Sequence, residues 1–505
     1  MREAALVAVL TRSPSSAEVS SFPAAVRWLE VRADRAGDPD ADRLRCDFPG
    51  TLLYSLRSRA EGGAFAGSDT ERRARLLAAS RRWDLVELET GDLVPEILDR
   101  IPAERRVLSW HGAAPGSTLN ELRARLARFA AVGARLIRLV PAAGEPADAL
   151  APLRLLREAG RSDLTAWASG PAGSWSRLLA PRLGAPLVFA AVGEGEGEPS
   201  VAQLIADYGL PHMPPIEDIY GIVGRTAAKS LSPRLHNAAY RVLGLPALYL
   251  SFPTERFGAF WDALGDGALA GLGWPLRGLT VTSPHKESAL AAAEEASPLA
   301  RQAGGANTLL RKDVVWRADT ADADGVLCAL GARGIAVAGR RVAVVGCGGA
   351  GRAAAAGLQA AGADVTLVNR GSERGHFAAA LLGLPFVPLA RFSARDLALV
   401  VHATPLQHET PFPVDGLDGG AVVVELVYGP TPTPLMTAAA ARGCLAIDGR
   451  EVLLVEAQRQ FQMMTGRQMP QDLVHLVRPD GPGACAGIPA RVSFDPLSGC
   501  TAAFA

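Results

Sequence analysis

Lysine is nearly absent from this chain of 505 residues. Among its 52 basic residues, lysine occurs only at positions 229, 286 and 312, and the rest are arginine. A guanidinium group stays protonated near neutral pH, so arginine neither attacks a carbonyl carbon nor shuttles a proton. A lysine that persists in such a composition is therefore a candidate for a chemical role.

Paired cysteines and long apolar segments are also missing. The six cysteines have neither paired spacing nor accompanying histidines, which argues against a disulfide framework or a metal site and favours a reducing cytoplasm. No apolar run approaches the roughly 20 residues of a membrane span, and the first residues contain no small-residue cleavage site. The formal net charge of zero gives no reason to expect a nucleic-acid partner. We therefore expect a small-molecule substrate, whereas the sequence gives no oligomeric state.

Eight short apolar runs recur in the first 207 residues, separated by helical stretches rich in arginine and alanine. The runs are ALVAVLT, VRWLEVRAD, TLLYSLRSR, DLVELET, RVLSWHG, ARLIRLVP, DLTAWAS and PLVFAAV. Eight strand–helix units predict an α/β fold of the (β/α)8 TIM-barrel type, with the active site at the carboxyl ends of the strands. The sixth run is unusual because Arg138 stands in the middle of a strand that is apolar on both faces.

A proline-rich segment, YGLPHMPPIED, ends this pattern and predicts an interdomain linker. Strands and helices alternate again beyond it. The predicted regions are the barrel at 1–207, the linker at 208–218, a substrate-binding domain at 219–330, a Rossmann dinucleotide-binding domain at 331–445, a C-terminal helix returning to the substrate-binding domain at 446–469, and a Gly/Pro-rich tail at 470–505.

A glycine turn between an apolar strand and an alanine-rich helix predicts dinucleotide binding. In VAVVGCGGAGRAAAAG, Gly346 allows the tight turn and Gly348 lets the backbone approach a pyrophosphate, with Gly351 completing the pattern. Gly349 and Ala350 begin the helix, whose first N–H groups attract the phosphate charge.

The next strand indicates which dinucleotide binds. An NAD site places Asp or Glu at the end of this strand, to accept a hydrogen bond from the ribose 2′-hydroxyl. Here the strand ends in Asn369 and Arg370, and Arg374 follows four residues on. Because guanidinium groups suit a 2′-phosphate, the sequence predicts NADP.

Further motifs follow one another in a recognisable order. They are SLSP, VTSPHK, GANT, TADADG, GCGGAGRA, NRGSER, HATP and VYGPTPTPL. This set resembles the shikimate dehydrogenase family over residues 219–466. The resemblance implies the NADPH-dependent reduction of 3-dehydroshikimate to shikimate, a step of chorismate and aromatic amino-acid biosynthesis.

The resemblance also implies roles for single residues. Lys286 and Asp322 would manage the proton of the substrate carbonyl, and an ammonium group beside a carboxylate can protonate the alkoxide that hydride addition creates. The implied substrate-binding residues are Ser230, Ser232, Thr282, Asn307, Tyr428 and Glu456.

Three positions depart from the family pattern. Thr320 replaces the asparagine of Asn-Thr-Asp, His402 replaces the asparagine before Ala-Thr, and Glu456 replaces a glutamine that contacts the substrate. Asp324 remains a rival to Asp322 for the acid role. These departures leave open a slower reaction or a related cyclitol substrate such as quinate.

The barrel carries its own ordered set of motifs. They are WLEVRAD (Glu30, Arg32), LRSRAEGG (Arg57, Glu61), VELE (Glu87, Glu89), SWHG (His111) and SWSRLLAP (Arg177). This set resembles type I 3-dehydroquinate dehydratase, and the whole chain resembles the plant-type enzyme that joins such a barrel to a shikimate dehydrogenase. The resemblance implies that His111 is the general acid/base and that Arg177 binds the substrate carboxylate.

One group that this chemistry needs is missing. Type I dehydratases form a Schiff base on a lysine of the sixth strand, but Arg138 stands at that position and the first lysine is Lys229. The segment EGEGE at 194–198 also places carboxylates where a substrate carboxylate would be repelled. We therefore expect a barrel without Schiff-base dehydratase activity, in which Arg138 pairs with Glu30, Glu61 or an EGEGE carboxylate.

Two alternatives remain open for the barrel. It could be a non-catalytic binding or scaffolding module that delivers dehydroshikimate or a partner protein to the second half. The chain could also be fully bifunctional, with both halves acting as enzymes.

Overall fold

The computed structural model describes residues 3–193, 198–265, 267–429 and 431–477. These residues form two compact units. Unit 1 comprises the described residues up to Ile219 together with Ala227–Lys229 and Pro246–Leu276. Unit 2 comprises Tyr220–Thr226, Ser230–Leu245 and the described residues from Arg277 onward.

Eight parallel strands form the main sheet of unit 1. They are β1 (Ala5–Leu10), β2 (Val26–Arg32), β3 (Thr51–Ser55), β4 (Leu85–Leu88), β5 (Arg106–Pro115), β6 (Leu136–Ala142), β7 (Leu164–Ala166) and β8 (Leu187–Ala191). They pair in the order β7-β6-β5-β4-β3-β2-β1-β8. Each predicted apolar run lies on one of these strands, which confirms the predicted barrel in the form of a nearly closed parallel sheet.

Helices alternate with these strands. They are α1 (Ser16–Ser20), α2 (Ala33–Ala36), α3 (Ala41–Asp47), α4 (Asp69–Ala79), α5 (Pro95–Leu98), α6 (Leu119–Val132), α7 (Leu150–Ala159), α8 (Ser176–Leu179) and α9 (Val201–Tyr208). Helices α4 and α6 both begin at a capping box, in which a hydroxyl and a carboxylate pair with N–H groups of the first turn.

The barrel interior combines a buried apolar cluster with buried charged side chains. Leu136 and Val140 of β6 belong to one buried apolar cluster with residues of the other strands. Because side chains alternate along a strand, Arg138 points into the interior with them. At the seam between β7 and β8, the Trp167 and Phe189 rings stack with their centroids 5.2 Å apart.

The remaining strands and helices follow the barrel. The strands are β9 (Asp218–Gly224), β10 (Ala247–Pro253), β11 (Leu276–Val281), β12 (Glu295–Ala296), β13 (Thr308–Lys312), β14 (Val315–Asp319), β15 (Arg341–Val345), β16 (Asp364–Asn369), β17 (Phe386–Pro388), β18 (Leu399–His402), β19 (Val422–Glu425) and β20 (Leu445–Ile447). The helices are α10 (Ser232–Leu243), α11 (Phe257–Phe260), α12 (Lys286–Ala292), α13 (Pro298–Ala303), α14 (Asp322–Gly331), α15 (Gly349–Ala360), α16 (Ser372–Leu382), α17 (Pro434–Ala441) and α18 (Gly449–Thr465).

Residues 246–276, which include β10 and α11, pack within unit 1. The Phe252 ring lies 5.5 Å from the Trp175 ring, centroid to centroid. Thr254 Oγ1 donates a hydrogen bond of 2.8 Å to Glu145. The predicted domain limits stay predictions, and this packing adds a segment of the predicted substrate-binding domain to the compact unit of the barrel.

Unit 2 contains a doubly wound parallel sheet with the strand order β17-β16-β15-β18-β19-β20. Val342 and Val344 lie in one buried core, and Ala343 and Val345 lie in another, so the central strand is covered on both faces. The predicted Rossmann fold is thereby confirmed. The strand order reverses between β15 and β18, and this reversal opens a ligand crevice at the carboxyl ends of the strands.

A second sheet contains the neighbouring strands β11-β13-β14-β12. Strand β13 runs antiparallel to both β11 and β14. The carboxyl ends of β11 and β14 therefore meet the beginning of β13 at one edge. Four predicted site residues lie there: Thr282 and Lys286 after β11, Asn307 before β13 and Asp322 after β14.

The predicted tail at 470–505 begins with an ordered segment. Gln471–Val477 form a 3-10 helix in which Leu473 and Val477 are buried. Residues 478–505 lie outside the described residues, as do four of the five residues of the EGEGE segment. Within the described part of the chain, no helix combines the length and apolar character needed to cross a membrane.

Candidate active sites

An ion pair occupies the sheet edge of unit 2 where β11, β13 and β14 meet. Lys286 begins α12, Asp322 begins α14, and the Lys286 Nζ lies 2.6 and 2.7 Å from the two carboxylate oxygens of Asp322. Only 15% of the lysine side chain and 4% of the aspartate side chain are exposed. The structure thus brings the two predicted proton-handling residues together.

Two neighbouring side chains hold the aspartate segment in place. Thr320 Oγ1 donates to Asp322 Oδ2 at 3.1 Å. Asn307 Oδ1 accepts from the backbone N–H of Ala321 at 2.9 Å. The rival carboxylate of Asp324 is engaged elsewhere, because it accepts from Arg459 Nε at 3.1 Å.

The serine hydroxyl groups that are predicted to bind the substrate lie at the start of α10. Ser230 and Ser232 are joined through their Oγ atoms at 3.1 Å. Burial raises the pKa of Tyr428, although its hydrogen bond with Ser230 favours the opposite direction. Thr282 follows β11, and its backbone N–H donates to Val223 O at 2.9 Å.

The glycine turn has the geometry that a dinucleotide requires. Gly346 has φ 116°, and a methyl group there would lie 2.8 Å from the Ala403 carbonyl. A side chain at Gly351 would overlap the carbonyl oxygen of Gly346, so this glycine permits close packing of helix and strand. A methyl group at Gly348, the N-cap of α15, would meet no atom within 4 Å, which leaves the approach to the helix N-terminus open.

The next glycine links the turn to the ion pair. A methyl group at Gly349 would lie 2.9 Å from both Cβ and Cδ of Lys286. The lysine chain therefore rests directly on the first residue of α15. Lys286 thus lies beside the backbone that is predicted to hold the dinucleotide.

The end of β16 carries the predicted 2′-phosphate residues. Asn369 Oδ1 accepts from the backbone N–H of Cys347 at 3.2 Å, which fixes this side chain against the glycine turn. Arg370 and Arg374 are exposed. Arg374 also lies 3.2 Å from Glu287 Oε1.

Arg352 is a structural residue that sequence reasoning missed, although the GCGGAGRA motif contains it. Its guanidinium is fully buried and donates to the carbonyl oxygens of Ala303 at 2.7 Å and Cys347 at 3.1 Å. It also pairs with Glu287 at 2.9 Å. Burial would raise the pKa of Glu287, but Arg352 and Arg374 lower it. Arg352 thereby fastens the glycine turn to the end of α13.

His402, one of the three residues that depart from the family pattern, belongs to a buried network of hydrogen bonds. His402 Nδ1 lies 2.7 Å from Glu425 Oε1, and its Nε2 contacts the hydroxyl of Thr404. Glu425 also accepts from Thr433 at 3.0 Å and from the backbone N–H of Val427 at 3.2 Å. The histidine thus keeps the polar character of the asparagine that the family has there.

Glu456 lies on α18 beside the start of α14. A methyl group at Gly325 would lie 2.7 Å from Glu456 Cγ and 3.0 Å from its Oε1. Burial and the nearby Asp322 carboxylate raise the pKa of Glu456 to about 8, while Lys286 opposes the shift.

In the barrel, Arg138 is the centre of a buried charge cluster. Its Nη1 donates to Glu30 Oε2 at 2.8 Å, and its Nη2 lies 2.5 Å from Glu87 Oε1. The same Nη2 lies 3.1 Å from His111 Nε2. The guanidinium carbon is 4.4 Å from the centre of the Phe189 ring, a cation–π geometry. A cation is thus held where the resemblance implies an amine.

The predicted partners of Arg138 are found in part. Glu30 pairs with it, as expected, whereas Glu61 accepts from the backbone N–H of His111 at 2.9 Å. Residues 194–197 lie outside the described residues, and Glu198 pairs with Arg177 instead. The second partner of Arg138, Glu87, stands in the VELE motif but was not among the predicted partners.

Burial and the arginines set the protonation states of this cluster. Burial would raise the pKa of Glu87, but Arg138 lowers it well below its usual range. Burial, Arg57 and Arg138 together hold the pKa of His111 well below its usual range, so the imidazole is neutral at pH 7. Burial and Glu89 raise the pKa of Glu61 to about 8. His111 is therefore uncharged, and its lowered pKa makes it a weak base.

The remaining barrel residues lie around this cluster. Arg57 Nη2 is 4.0 Å from Glu30 Oε1. Burial and Arg32 lower the pKa of Arg57 to about 10. Arg32 is turned aside, because it forms two hydrogen bonds of 2.8 and 2.7 Å with Asp34.

Arg177, the predicted carboxylate-binding residue, already has an anionic partner. It pairs with Glu198 and donates to Phe189 O at 2.7 Å. The backbone N–H of Gly170 donates to the other carboxylate oxygen of Glu198 at 3.2 Å. A side chain of the protein thus holds the place where the resemblance implies a substrate carboxylate.

Comparisons with family models agree with this division. The model of type I 3-dehydroquinase matches residues 13–215, and the model of the shikimate dehydrogenase substrate binding domain matches residues 222–309. A model of an FAD binding domain matches residues 341–412, which contain the glycine turn that flavin and nicotinamide folds share.

Curated relatives match either the whole chain or its second half. The chloroplastic bifunctional 3-dehydroquinate dehydratase/shikimate dehydrogenase of Arabidopsis thaliana is 28% identical over 481 residues, covering 88% of this chain and 78% of that protein. The shikimate dehydrogenase (NADP(+)) of Moorella thermoacetica is 34% identical over 291 residues, covering 54% of this chain and 96% of that protein.

Among solved structures, a shikimate 5-dehydrogenase of Thermus thermophilus in complex with NADP(H) and shikimate is 33% identical. It aligns with 51% of this chain and 98% of its own length, with a TM-score of 0.47. A relative at 34% identity is matched over almost its whole length, and a type I 3-dehydroquinase model matches the region before it. The chain therefore belongs to the shikimate dehydrogenase family and carries a type I 3-dehydroquinase domain in front of that family's domains.

Proposed function

We propose that unit 2 is an NADP-dependent shikimate dehydrogenase that interconverts 3-dehydroshikimate and shikimate. The observation that carries this proposal is the Lys286–Asp322 ion pair lying against Gly349 of the dinucleotide turn. This arrangement places a proton donor beside the backbone that would hold the hydride carrier. The named activities of the curated relatives agree with it.

The residues of the turn fit NADP. The backbone at Gly346 and Gly348 is open to a pyrophosphate, and Arg370 and Arg374 supply positive charge for a 2′-phosphate. NADP supplies the hydride when it is bound.

The protein supplies the proton and the orientation. The Lys286 ammonium group donates a proton to the alkoxide oxygen of the reduced substrate, and Asp322 holds that ammonium group in position. Ser230, Ser232 and Asn307 offer polar groups suited to the hydroxyl groups of a cyclitol. In the oxidative direction, the same lysine removes the hydroxyl proton.

A pair of lysine variants tests this proposal. NADP reduction by the purified full chain is assayed with shikimate and with quinate. We expect Lys286→Ala to lower kcat by about 10²–10⁴-fold, since it removes a general acid–base group. Lys312→Ala, at an exposed position on β13, should change kcat by no more than about twofold. If neither substrate supports turnover that depends on Lys286, the proposal fails.

For the barrel, we propose a fold that has lost Schiff-base dehydratase chemistry. The first lysine of the chain is Lys229, so the barrel strands hold no amine side chain. Arg138 stays protonated between Glu30 and Glu87 and cannot form an imine. A carboxylate ligand would also have to displace Glu198 from Arg177.

One observation favours a binding role for the barrel over a purely structural one. The hydroxyl groups of Ser109 and Thr165, which flank Arg138 on the neighbouring strands, have no hydrogen-bond partner in the described part of the chain. Buried hydroxyl groups of this kind pair with water or with a ligand. Calorimetry of the full chain with dehydroquinate measures whether such binding occurs.

Borohydride reduction tests the loss of dehydratase chemistry. The full chain is treated with dehydroquinate and borohydride, and its peptides are analysed by mass spectrometry. We expect no covalent adduct on residues 1–207, because no amine side chain lies there. A stable adduct in this region would show that the barrel still forms an imine.

We also place the protein in the cytoplasm. The described cysteines Cys46, Cys328, Cys347 and Cys444 are free thiols, as expected in a reducing compartment.

A further inference from the structure

Glu456 is a carboxyl group of the unit 2 site that forms no ion pair with another described residue. It projects from α18 over Gly325, where any larger residue would displace it. It is partly buried, and no hydrogen bond joins it to another described residue. The nearby ionised groups are Asp322, Asp324 and Lys286.

The charges around Glu456 are balanced without it. Lys286 neutralises Asp322 at 2.6 Å, and Arg459 neutralises Asp324 at 3.1 Å. An ionised Glu456 would add a third carboxylate to a site with two cations, both already paired. Burial in such surroundings favours the neutral form of a carboxylic acid.

The other groups near α18 do not change this balance. Tyr428 is uncharged at neutral pH, and burial raises the pKa of its hydroxyl group further. His236 of α10 packs on the Phe461 ring of α18, and burial lowers the pKa of that histidine to about 3. On α18 itself, Gln460 is a neutral amide that donates to Thr308 Oγ1 at 3.3 Å.

We propose that Glu456 contacts the substrate as a neutral carboxyl group, donating a hydrogen bond to a substrate oxygen, and that loss of its proton weakens substrate binding. This inference rests on the proposed dehydrogenase function. A neutral carboxyl group carries one donor and one acceptor, as a glutamine amide does at the same position in the family. Its anion donates no hydrogen bond, and it repels both the Asp322 carboxylate and the carboxylate of shikimate.

The pKa of about 8 sets the range in which this change occurs. Below that pH the site keeps its hydrogen-bond donor. Above it, the fraction of protein with neutral Glu456 falls about tenfold per pH unit, and substrate affinity should fall with it.

The pH dependence of 3-dehydroshikimate reduction with NADPH by the full chain tests this inference, because this direction uses the ammonium form of Lys286. For the wild type, we expect kcat/KM to fall about tenfold per pH unit above about pH 8, mainly through a rising KM. For Glu456→Gln, kcat/KM should stay constant within about twofold between pH 7 and pH 9, because an amide does not titrate in this range. If kcat/KM falls above pH 8 to the same extent in the wild type and in Glu456→Gln, the inference is overturned.

Glu451→Gln serves as the matched control. It makes the same chemical change on the same helix, at a carboxylate that pairs with Arg333 at 2.7 Å. Glu451→Gln should keep both the rate of the wild type and its fall in kcat/KM above pH 8. If this fall disappears in Glu451→Gln as it does in Glu456→Gln, it is not caused by Glu456 and the inference fails.

A second measurement needs no turnover. Infrared difference spectra between pH 7 and pH 9.5 are recorded in a Glu61→Gln background, because the barrel carboxyl of Glu61 also has a pKa raised to about 8. A protonated carboxyl C=O band should disappear at the higher pH in this background and after addition of Glu451→Gln, but it should be missing after addition of Glu456→Gln. If the wild type does not oxidise shikimate, the proposed function fails, while this band still decides whether Glu456 is neutral at pH 7. A spectrum of the Glu61→Gln background without the band would overturn the inference.

Discussion

At the scale of single residues, Arg138 shows how one substitution changes the chemistry of a buried site while preserving its charge. The guanidinium bridges Glu30 of β2 and Glu87 of β4, two carboxylates that both also accept a hydrogen bond from the Ser55 hydroxyl of β3. A planar, five-donor group suits this bridging position. The site keeps a cation that orders its carboxylates and has no nucleophile.

Removing this cation should destabilise the barrel. Arg138→Met removes the nearest counter-ion of two buried carboxylates and leaves Glu30 with Arg57 at 4.0 Å, so we expect unfolding of unit 1 to become about 3–5 kcal/mol easier at pH 7. The urea midpoint of the barrel peptides, followed by hydrogen exchange and mass spectrometry, measures the loss.

Arg123→Met provides the control for this prediction. Arg123 pairs with Glu158 at 2.7 Å on the surface, where both side chains are more than two-fifths exposed. Its removal should cost no more than about 1 kcal/mol. Equal effects of the two variants would show that the buried cluster is not a stabilising ion pair.

The loss in Arg138→Met should also depend on pH. Arg138 lowers the pKa of Glu87, so its stabilising effect is present above the unfolded carboxyl pKa of about 4.3 and fades as the pH falls below it. Repeating the measurement at pH 4 should therefore show a smaller difference between variant and wild type. A difference that grows on acidification would contradict this.

The sequence anticipated part of this cluster. Glu30 was one of three alternative partners predicted for Arg138, because a lone buried cation is costly. Glu87 was not predicted as a partner, because the side chains that meet across a barrel depend on the stagger of its strands, which a single sequence does not reveal. Local patterns predict that a residue points inward, whereas its partners depend on tertiary geometry.

At the scale of secondary-structure elements, the junction of α12 and α15 unites two predicted motifs. The sequence predicted Lys286 and the glycine turn separately. The structure adds that Gly349 is small because the lysine chain crosses it. The two motifs are 63 residues apart in the chain, so only the fold reveals this dependence.

A methyl group at this junction should disturb the reaction without disturbing the fold. Gly349→Ala would place Cβ 2.9 Å from Lys286 Cβ, so the lysine must shift. We expect kcat/KM for shikimate oxidation to fall by about 10–100-fold, as small displacements of catalytic groups commonly do. Steady-state kinetics and circular dichroism measure the rate and the fold.

Gly331→Ala is the matched variant for this prediction. It adds a methyl group at the end of α14, where no atom lies within 4 Å. Its kcat/KM should stay within about twofold of the wild type. Wild-type kinetics in Gly349→Ala would show that the lysine tolerates the added methyl group.

Strand positions were easier to predict than the edges of compact units. All eight barrel runs became strands because their apolar patterns are local. The packing of residues 246–276 within unit 1 was not predicted, since it depends on distant contacts such as Trp175 with Phe252.

At the scale of the whole molecule, each unit contains its own charged site. The residues around Lys286 all belong to unit 2, and those around Arg138 all belong to unit 1. The chemistry of the dehydrogenase site therefore requires no side chain from the barrel site.

This separation predicts independent behaviour. His111→Gln should leave kcat/KM for shikimate oxidation within about twofold of the wild type, because sites that share no residues or partners act independently. Steady-state assays of the full chain measure this ratio. A fall of more than about tenfold would show that the barrel site contributes to the dehydrogenase reaction.

The largely buried setting of Lys286 also makes the site easy to follow by chemical labelling. Lys229 and Lys312 are exposed, whereas Lys286 is ion-paired and covered on one side by α15. An amine-acylating reagent should therefore mark the two exposed lysines quickly and Lys286 slowly. Because the sequence contains only three lysines, the peptide that carries Lys286 can be followed by itself. The mass that acylation adds to this peptide would report whether the nucleotide crevice is occupied.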